Sequence, residues 1–121
     1  MSNPSEPDRC SRTLTEMAHR HHEELFPNHK STLAITDPEL LDVSDNFAFD
    51  EVLAESKLDT RTRTMTILAS LIASQGVNEY KIMAGAALNV GVTPVEIKEI
   101  LYQSVPYVGM AKAFDFLHAT N

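Results

Sequence analysis

An all-α fold of about six helices is what this sequence predicts, and three observations predict it. Apolar residues recur at spacings of three and four through most of the chain, helix-starting residues stand ahead of several of those stretches, and no segment alternates apolar and polar residues as a half-buried strand does. Composition agrees. Four Gly and six Pro in 121 residues leave long runs free of helix breakers. Hydrophobic residues make up 43% with no Trp, so Leu, Ile, Val, Met and Ala must fill a modest core. The length fits one domain, expected over residues 9–121, behind a flexible polar tail at residues 1–8 that carries Pro4 and Pro7.

The elements follow in chain order. From Ser11 onward, Leu14, Met17, Ala18, His21 and Leu25 share one helix face, and Pro27 with Asn28 ends that helix. Thr36-Asp37-Pro38-Glu39 is a second helix start, with Thr36 or Asp37 as cap and Pro38 in the first turn. The apolar pattern that follows (Leu40, Val43, Phe47, Phe49, Val52, Leu53) is too broad for one narrow stripe, which predicts a bend or burial on more than one side. Asp59 opens a helix with Met65, Leu68, Leu71 and Ile72 inward and Gly76 as its stop. The next helix, from Val77 or Asn78 to about Asn89, contains the small residues Ala84-Gly85-Ala86-Ala87 and ends at Gly91. Thr93-Pro94-Val95-Glu96 is a complete capping box with Pro at the first helical position. Ile97, Ile100, Leu101 and Ser104 line the helix it starts, which Pro106 and Gly109 interrupt, and Met110, Ala113, Phe114 and Leu117 mark the last helix.

Charge and composition exclude several roles. A net charge of −7 repels phosphate backbones and anionic lipid surfaces, so neither nucleic acid nor membrane is an expected partner. No apolar run is long enough to span a bilayer, and the polar start of the chain does not resemble a signal peptide, so a cytoplasmic location is expected. The single cysteine, Cys10, offers no CxxC pair and no multi-cysteine zinc site. Of His19, His21 and His22 only His19 and His22 are three apart, and Phe26 stands where a zincin motif would carry its second histidine, so a solvated face is expected. Neither metal nor cofactor is expected.

Leu58-Asp59-Thr60-Arg61-Thr62-Arg63, the run from Ala86 through Gly91-Val92-Thr93-Pro94 to Ile100, and Leu101-Tyr102-Gln103 with Pro106-Tyr107-Val108-Gly109 together resemble the carboxymuconolactone decarboxylase family. That resemblance implies an alkylhydroperoxidase D-like helical domain whose copies associate as homo-trimers or homo-hexamers. It also implies one of two chemistries: decarboxylation of a lactone carboxylate, or thiol peroxidation through a CxxC pair and a histidine. Here Asn78 and Lys81 stand at the two cysteine positions of the peroxidase branch and Gly85 at its histidine. Only Thr64 or Thr66 is offered at its proton-relay glutamate. Thiol peroxidase activity is therefore not expected, because no thiolate is available there. Against the decarboxylase branch, Glu79 matches the glutamate, but Met83 replaces the histidine four residues on.

Glu79 is accordingly the candidate general acid or base, facing a pocket with Met83 one turn further on; the competing reading is a first-turn carboxylate that favours the helix dipole. Arg61 and Arg63 are candidates to hold a substrate carboxylate through bidentate pairs, or else form salt bridges at a helix edge. Tyr80, Gln103 and Tyr107 are candidates to hydrogen-bond a small carboxylate or lactone, or else pack between helices with their polar tips satisfied locally. Two functions remain open: a lyase on a small organic acid or lactone, and a non-catalytic oligomeric protein that binds a small ligand on the same scaffold.

Overall fold

In the computed structural model, which describes residues 14–121, the chain is helical throughout, with no strand among the described residues. The helices are α1 (Glu16–Leu25), α2 (Leu33–Thr36), α3 (Pro38–Asn46), α4 (Val52–Ala54), α5 (Thr60–Ser74), α6 (Val77–Asn89), α7 (Pro94–Val108) and α8 (Met110–Thr120), with a π turn, Phe47–Glu51, joining α3 to α4. No helix is long and apolar enough to cross a membrane. The chain divides into two compact units, one ending at Lys57 and one beginning at Leu58. The residue Cys10 lies outside the described residues.

In the first unit, Thr15 caps α1 by accepting from the Ala18 N–H. The broad apolar pattern after Pro38 has its counterpart in the π turn, which admits an extra residue and shifts the faces that follow it. This turn anchors α1. Thr15 donates from its backbone to Asn46 Oδ1 (2.8 Å) and from its hydroxyl to Asp50 Oδ2 (2.7 Å), and His21 Nδ1 donates to the Phe49 carbonyl (2.6 Å). The His22 ring packs against Phe26, His29 and Phe49. The solvated-face expectation therefore holds for exposed His19 but not for half-buried His21 and His22. Pro38 occupies the first turn of α3 as expected, whereas neither Thr36 nor Asp37 caps it with a side chain: Thr36 belongs to α2, and Asp37 makes no side-chain cap bond.

The second unit is a four-helix arrangement in which α5 packs on α6 and α7, and α8 packs on α7 and α6. Leu68 and Ile72 from α5, Tyr80, Met83, Ala86 and Ala87 from α6, Ile97 and Leu101 from α7, and Ala113 and Phe116 from α8 make its core. Fully burying each large side chain of this set contributes roughly 1.5–3 kcal/mol. Thr64, also buried, satisfies its hydroxyl on the Thr60 carbonyl one turn back.

The caps explain where these helices start and stop. Asp59 accepts from the Thr62 N–H, and the Thr93–Glu96 capping box is formed in both directions at 3.0 and 3.1 Å. Both α5 and α6 end in the paired bonds of a Schellman motif, Gly76 N–H to Leu71 with Gln75 N–H to Ile72, and Val92 N–H to Ala87 with Gly91 N–H to Leu88. The left-handed residue is Gly91 (φ 92°) in one but Gln75 (φ 66°) in the other. The helix stops at Gly76 as the sequence predicts, with Gln75 rather than the glycine left-handed; a Cβ on Gly76 would lie 3.3 Å from the Leu71 side chain. Pro106 does not break α7. It removes one N–H in the last turn, and the Gly109 N–H still reaches the Val105 carbonyl (2.8 Å), so the break falls at Gly109 (φ 103°).

Candidate functional site

Outside the core of the second unit, α5 and α7 leave a groove of about 840 Å³. Residues at spacings of three and four build each wall: Thr62, Met65, Thr66, Ala69 and Ala73 from α5, and Val95, Glu99, Ile100, Gln103 and Tyr107 from α7. The floor is apolar, with the small side chains of Ala69 and Ala73 on it. The wall residues run from 62 to 73 on α5, so the groove is about 16 Å long at 1.5 Å per residue. It is open to solvent along its length, with Tyr107 at 92% exposure on its rim.

At the end where both helices start, the Arg61 guanidinium pairs with Glu96. The Glu96 carboxylate is then committed on both oxygens, one to Arg61 and one to the Thr93 N–H of the capping box. A local cap and a contact between two helices therefore share one side chain. Arg61 is neutralised rather than free to clamp an anion, and the nearby Glu99 carboxylate has no ion-pair or hydrogen-bond partner among the described residues. The rim is net negative.

The remaining sequence candidates separate. Gln103 and Tyr107 line the groove with Arg61. Arg63 turns away and donates to the Leu58 carbonyl (3.4 Å) and the Thr60 hydroxyl (3.2 Å). Tyr80 is fully buried, its ring edge-on to Phe116 and its hydroxyl 2.7 Å from Thr120 Oγ1; burial pushes its phenol pKa above the usual value of 10.0, with the Thr120 bond opposing. Met83 is 5% exposed, in the core. Glu79 is exposed and lines no part of the groove. The expectation that Glu79 and Met83 share a pocket is not met within the chain, although i and i+4 lie on one helix face. Glu79 sits in the first turn of α6, at the end of the bundle, while Met83 is one turn deeper.

Asn78, Lys81 and Gly85 are all exposed on α6. Among the described residues no three His, Cys, Asp or Glu side chains come together to hold a metal ion. The profile of the Carboxymuconolactone decarboxylase family matches residues 38–121. The chain belongs to this family. The match runs from the first residue of α3 to the C-terminus and takes in the groove. No curated protein matches the chain.

Reasoning from the sequence missed Glu96 and Glu99 as groove residues, together with Thr62, Met65 and Thr66. The available signal was a second stripe on α5, Thr62–Met65–Ala69–Ala73, beside the core stripe Thr64–Leu68–Ile72. Two stripes on one helix mean two contact surfaces.

Proposed function

We infer that this member of the family is a non-catalytic, oligomeric protein that binds a small, uncharged, largely apolar molecule, of which a lactone is the model, in the α5/α7 groove. The observation that carries this reading is the pairing of Arg61 with Glu96 beside Glu99, which has no partner among the described residues. A carboxylate ligand would meet a neutralised guanidinium and a like charge, whereas a lactone would set its ring on Met65, Ala69 and Ile100 and accept hydrogen bonds from Gln103 and Tyr107. Support also comes from α6: Met83 cannot transfer a proton where the decarboxylase branch has histidine, and Glu79 lies apart from the groove.

The test is a comparison of a lactone series with the corresponding open-chain hydroxy acids, by calorimetry and by NMR shift mapping. The lactones bind, the shifts fall on α5 and α7, Gln103→Leu weakens binding about fivefold to tenfold through loss of one hydrogen bond, and Glu79→Gln changes nothing. Release of carbon dioxide from a carboxylated lactone by the wild type, abolished in Glu79→Gln, would instead establish the lyase.

A further inference from the structure

The polar side chains around the groove divide by whether they are already committed. Arg61 and Glu96 hold each other, and the second Glu96 oxygen accepts from the Thr93 N–H. The Thr62 hydroxyl bonds to Asp59, Thr66 donates to the Thr62 carbonyl (2.9 Å), and Ser104 donates to the Ile100 carbonyl (2.7 Å). Three lining side chains have no hydrogen-bond or ion-pair partner among the described residues: Glu99, Gln103 and Tyr107. All three are exposed and stand four residues apart on α7, so they share one helix face at intervals of about 6 Å. The α5 wall opposite offers Met65, Ala69 and Ala73, apolar side chains without a donor. The groove therefore has one polar edge and one apolar edge.

The order of groups along the polar edge sets what fits it. The Gln103 amide and the Tyr107 hydroxyl each donate and accept, whereas an ionised carboxylate only accepts. A lactone has two ester oxygens and no proton of its own. Seated with its carbonyl on Gln103, an unsubstituted lactone turns its far side to Glu99 and strips water from a carboxylate without replacing the lost bonds. The same lactone with a hydroxyl or N–H on that far side donates to Glu99, and hydrogen bonds to charged groups are about twice as strong as neutral ones.

We propose that Glu99 determines the specificity of the groove by selecting lactones that carry a hydrogen-bond donor across the ring from the carbonyl, with the carbonyl on Gln103 and the apolar edge of the ring on Met65 and Ala69. The interval of one helical turn between Glu99 and Gln103 suits a donor and an acceptor on opposite sides of a small ring. This inference rests on the lactone reading above and adds the chemistry of the substituent.

The experiment is an NMR titration of the full chain with two lactones of nearly equal size, γ-hydroxymethyl-γ-butyrolactone and γ-ethyl-γ-butyrolactone. It is run on the wild type, Glu99→Gln and Glu99→Ala, with circular dichroism to confirm folding. The wild type binds the hydroxymethyl lactone about tenfold more tightly than the ethyl lactone, although the ethyl compound is the more apolar. Glu99→Ala weakens the hydroxymethyl lactone about tenfold and changes the ethyl lactone less than about twofold, so the preference disappears. Glu99→Gln keeps a neutral acceptor and retains part of the preference. A residue that only shaped the groove would move both lactones together. Equal wild-type affinities with shifts on α5 and α7 overturn the proposal and leave lactone binding standing. A preference that survives Glu99→Ala overturns it as well. Absence of shifts with either compound removes the lactone reading and this inference together.

Discussion

The two compact units of this chain are stabilised by different means. In the unit from Leu58 onward, four helices share one apolar core, with Leu68, Ile72, Leu101 and Phe116 almost wholly out of solvent. In the unit ending at Lys57, the buried apolar residues among those described are Ala18 and Leu25, while Leu40, Val43, Phe47 and Val52 are exposed. Polar bonds hold that unit together: Asn46 and Asp50 clasp Thr15, and His21 is tied to the π turn. Apolar burial scales with area and accumulates, whereas each hydrogen bond contributes only about 1 kcal/mol net. The second unit is therefore the stable scaffold that positions the groove. Exposed apolar side chains stand on both units, Leu40, Val43 and Phe47 on the first and Ile82, Leu88, Tyr102 and Phe114 on the second.

The sharpest way to break this comparison is to truncate one aromatic residue in each unit. Phe116→Ala should cost about 3–5 kcal/mol in urea denaturation, because a fully buried ring leaves a cavity. Phe47→Ala, at 60% exposure, should cost less than about 1 kcal/mol. Equal losses would mean that the first unit has a core these burial values do not reveal. Smaller effects sharpen the picture within the bundle. Tyr80→Phe should lose about 1 kcal/mol through the Thr120 bond and leave lactone binding unchanged, which would mark Tyr80 as a packing residue. Thr93→Ala should cost about 1 kcal/mol as a lost cap, and it should also alter the groove mouth, because Glu96 serves both the cap and Arg61.

The smallest effect concerns pH and belongs to the first unit. Burial raises the Asp45 pKa above 3.8, His22 opposes the rise and Asp42 adds to it. A raised folded-state pKa means that the contribution of this group to stability is fully present below the unfolded value and lost as pH rises through the folded value. Asp45→Asn should therefore stabilise the protein at neutral pH, and its advantage over wild type should shrink to nothing as pH falls below the unfolded value. Asp59 has the opposite sign. The side-chain and backbone hydrogen bonds of Thr62 lower its pKa, so its contribution is present above 3.8 and lost as pH falls through the lower folded value. Stability curves of Asp45→Asn and wild type between pH 3 and 8 would check the first; a constant difference across that range would contradict it.

Much of the fold was legible because helix starts and stops are chemical events within a few residues. Asp59, Thr93 with Glu96, and Gly91 act on backbone groups three to five positions away, and the pattern of Leu68, Ile72, Ile97 and Leu101 reports a 3.6-residue period directly. The site was less legible. Of the candidate residues Arg61, Gln103 and Tyr107 line the groove, whereas Glu79 is exposed outside it and Met83 lies in the core. Spacing tells which side of a helix a residue occupies but not how far along the bundle the neighbouring helices extend.

By itself the sequence determined an all-helical chain, the places where α5, α6 and α7 begin, and membership of the family through the segments flanking Gly91. Tertiary structure alone decided that Arg61 pairs with Glu96, that Glu99 has no partner among the described residues, that Gln75 rather than Gly76 takes the left-handed turn, and that Glu79 is exposed outside the groove while Met83 lies in the core. The physical reason is range. Caps and periodicity are set by atoms a turn apart on one helix. An ion pair between residues 61 and 96, or a groove between α5 and α7, exists only after packing has brought distant segments together, and many pairings satisfy the same local rules.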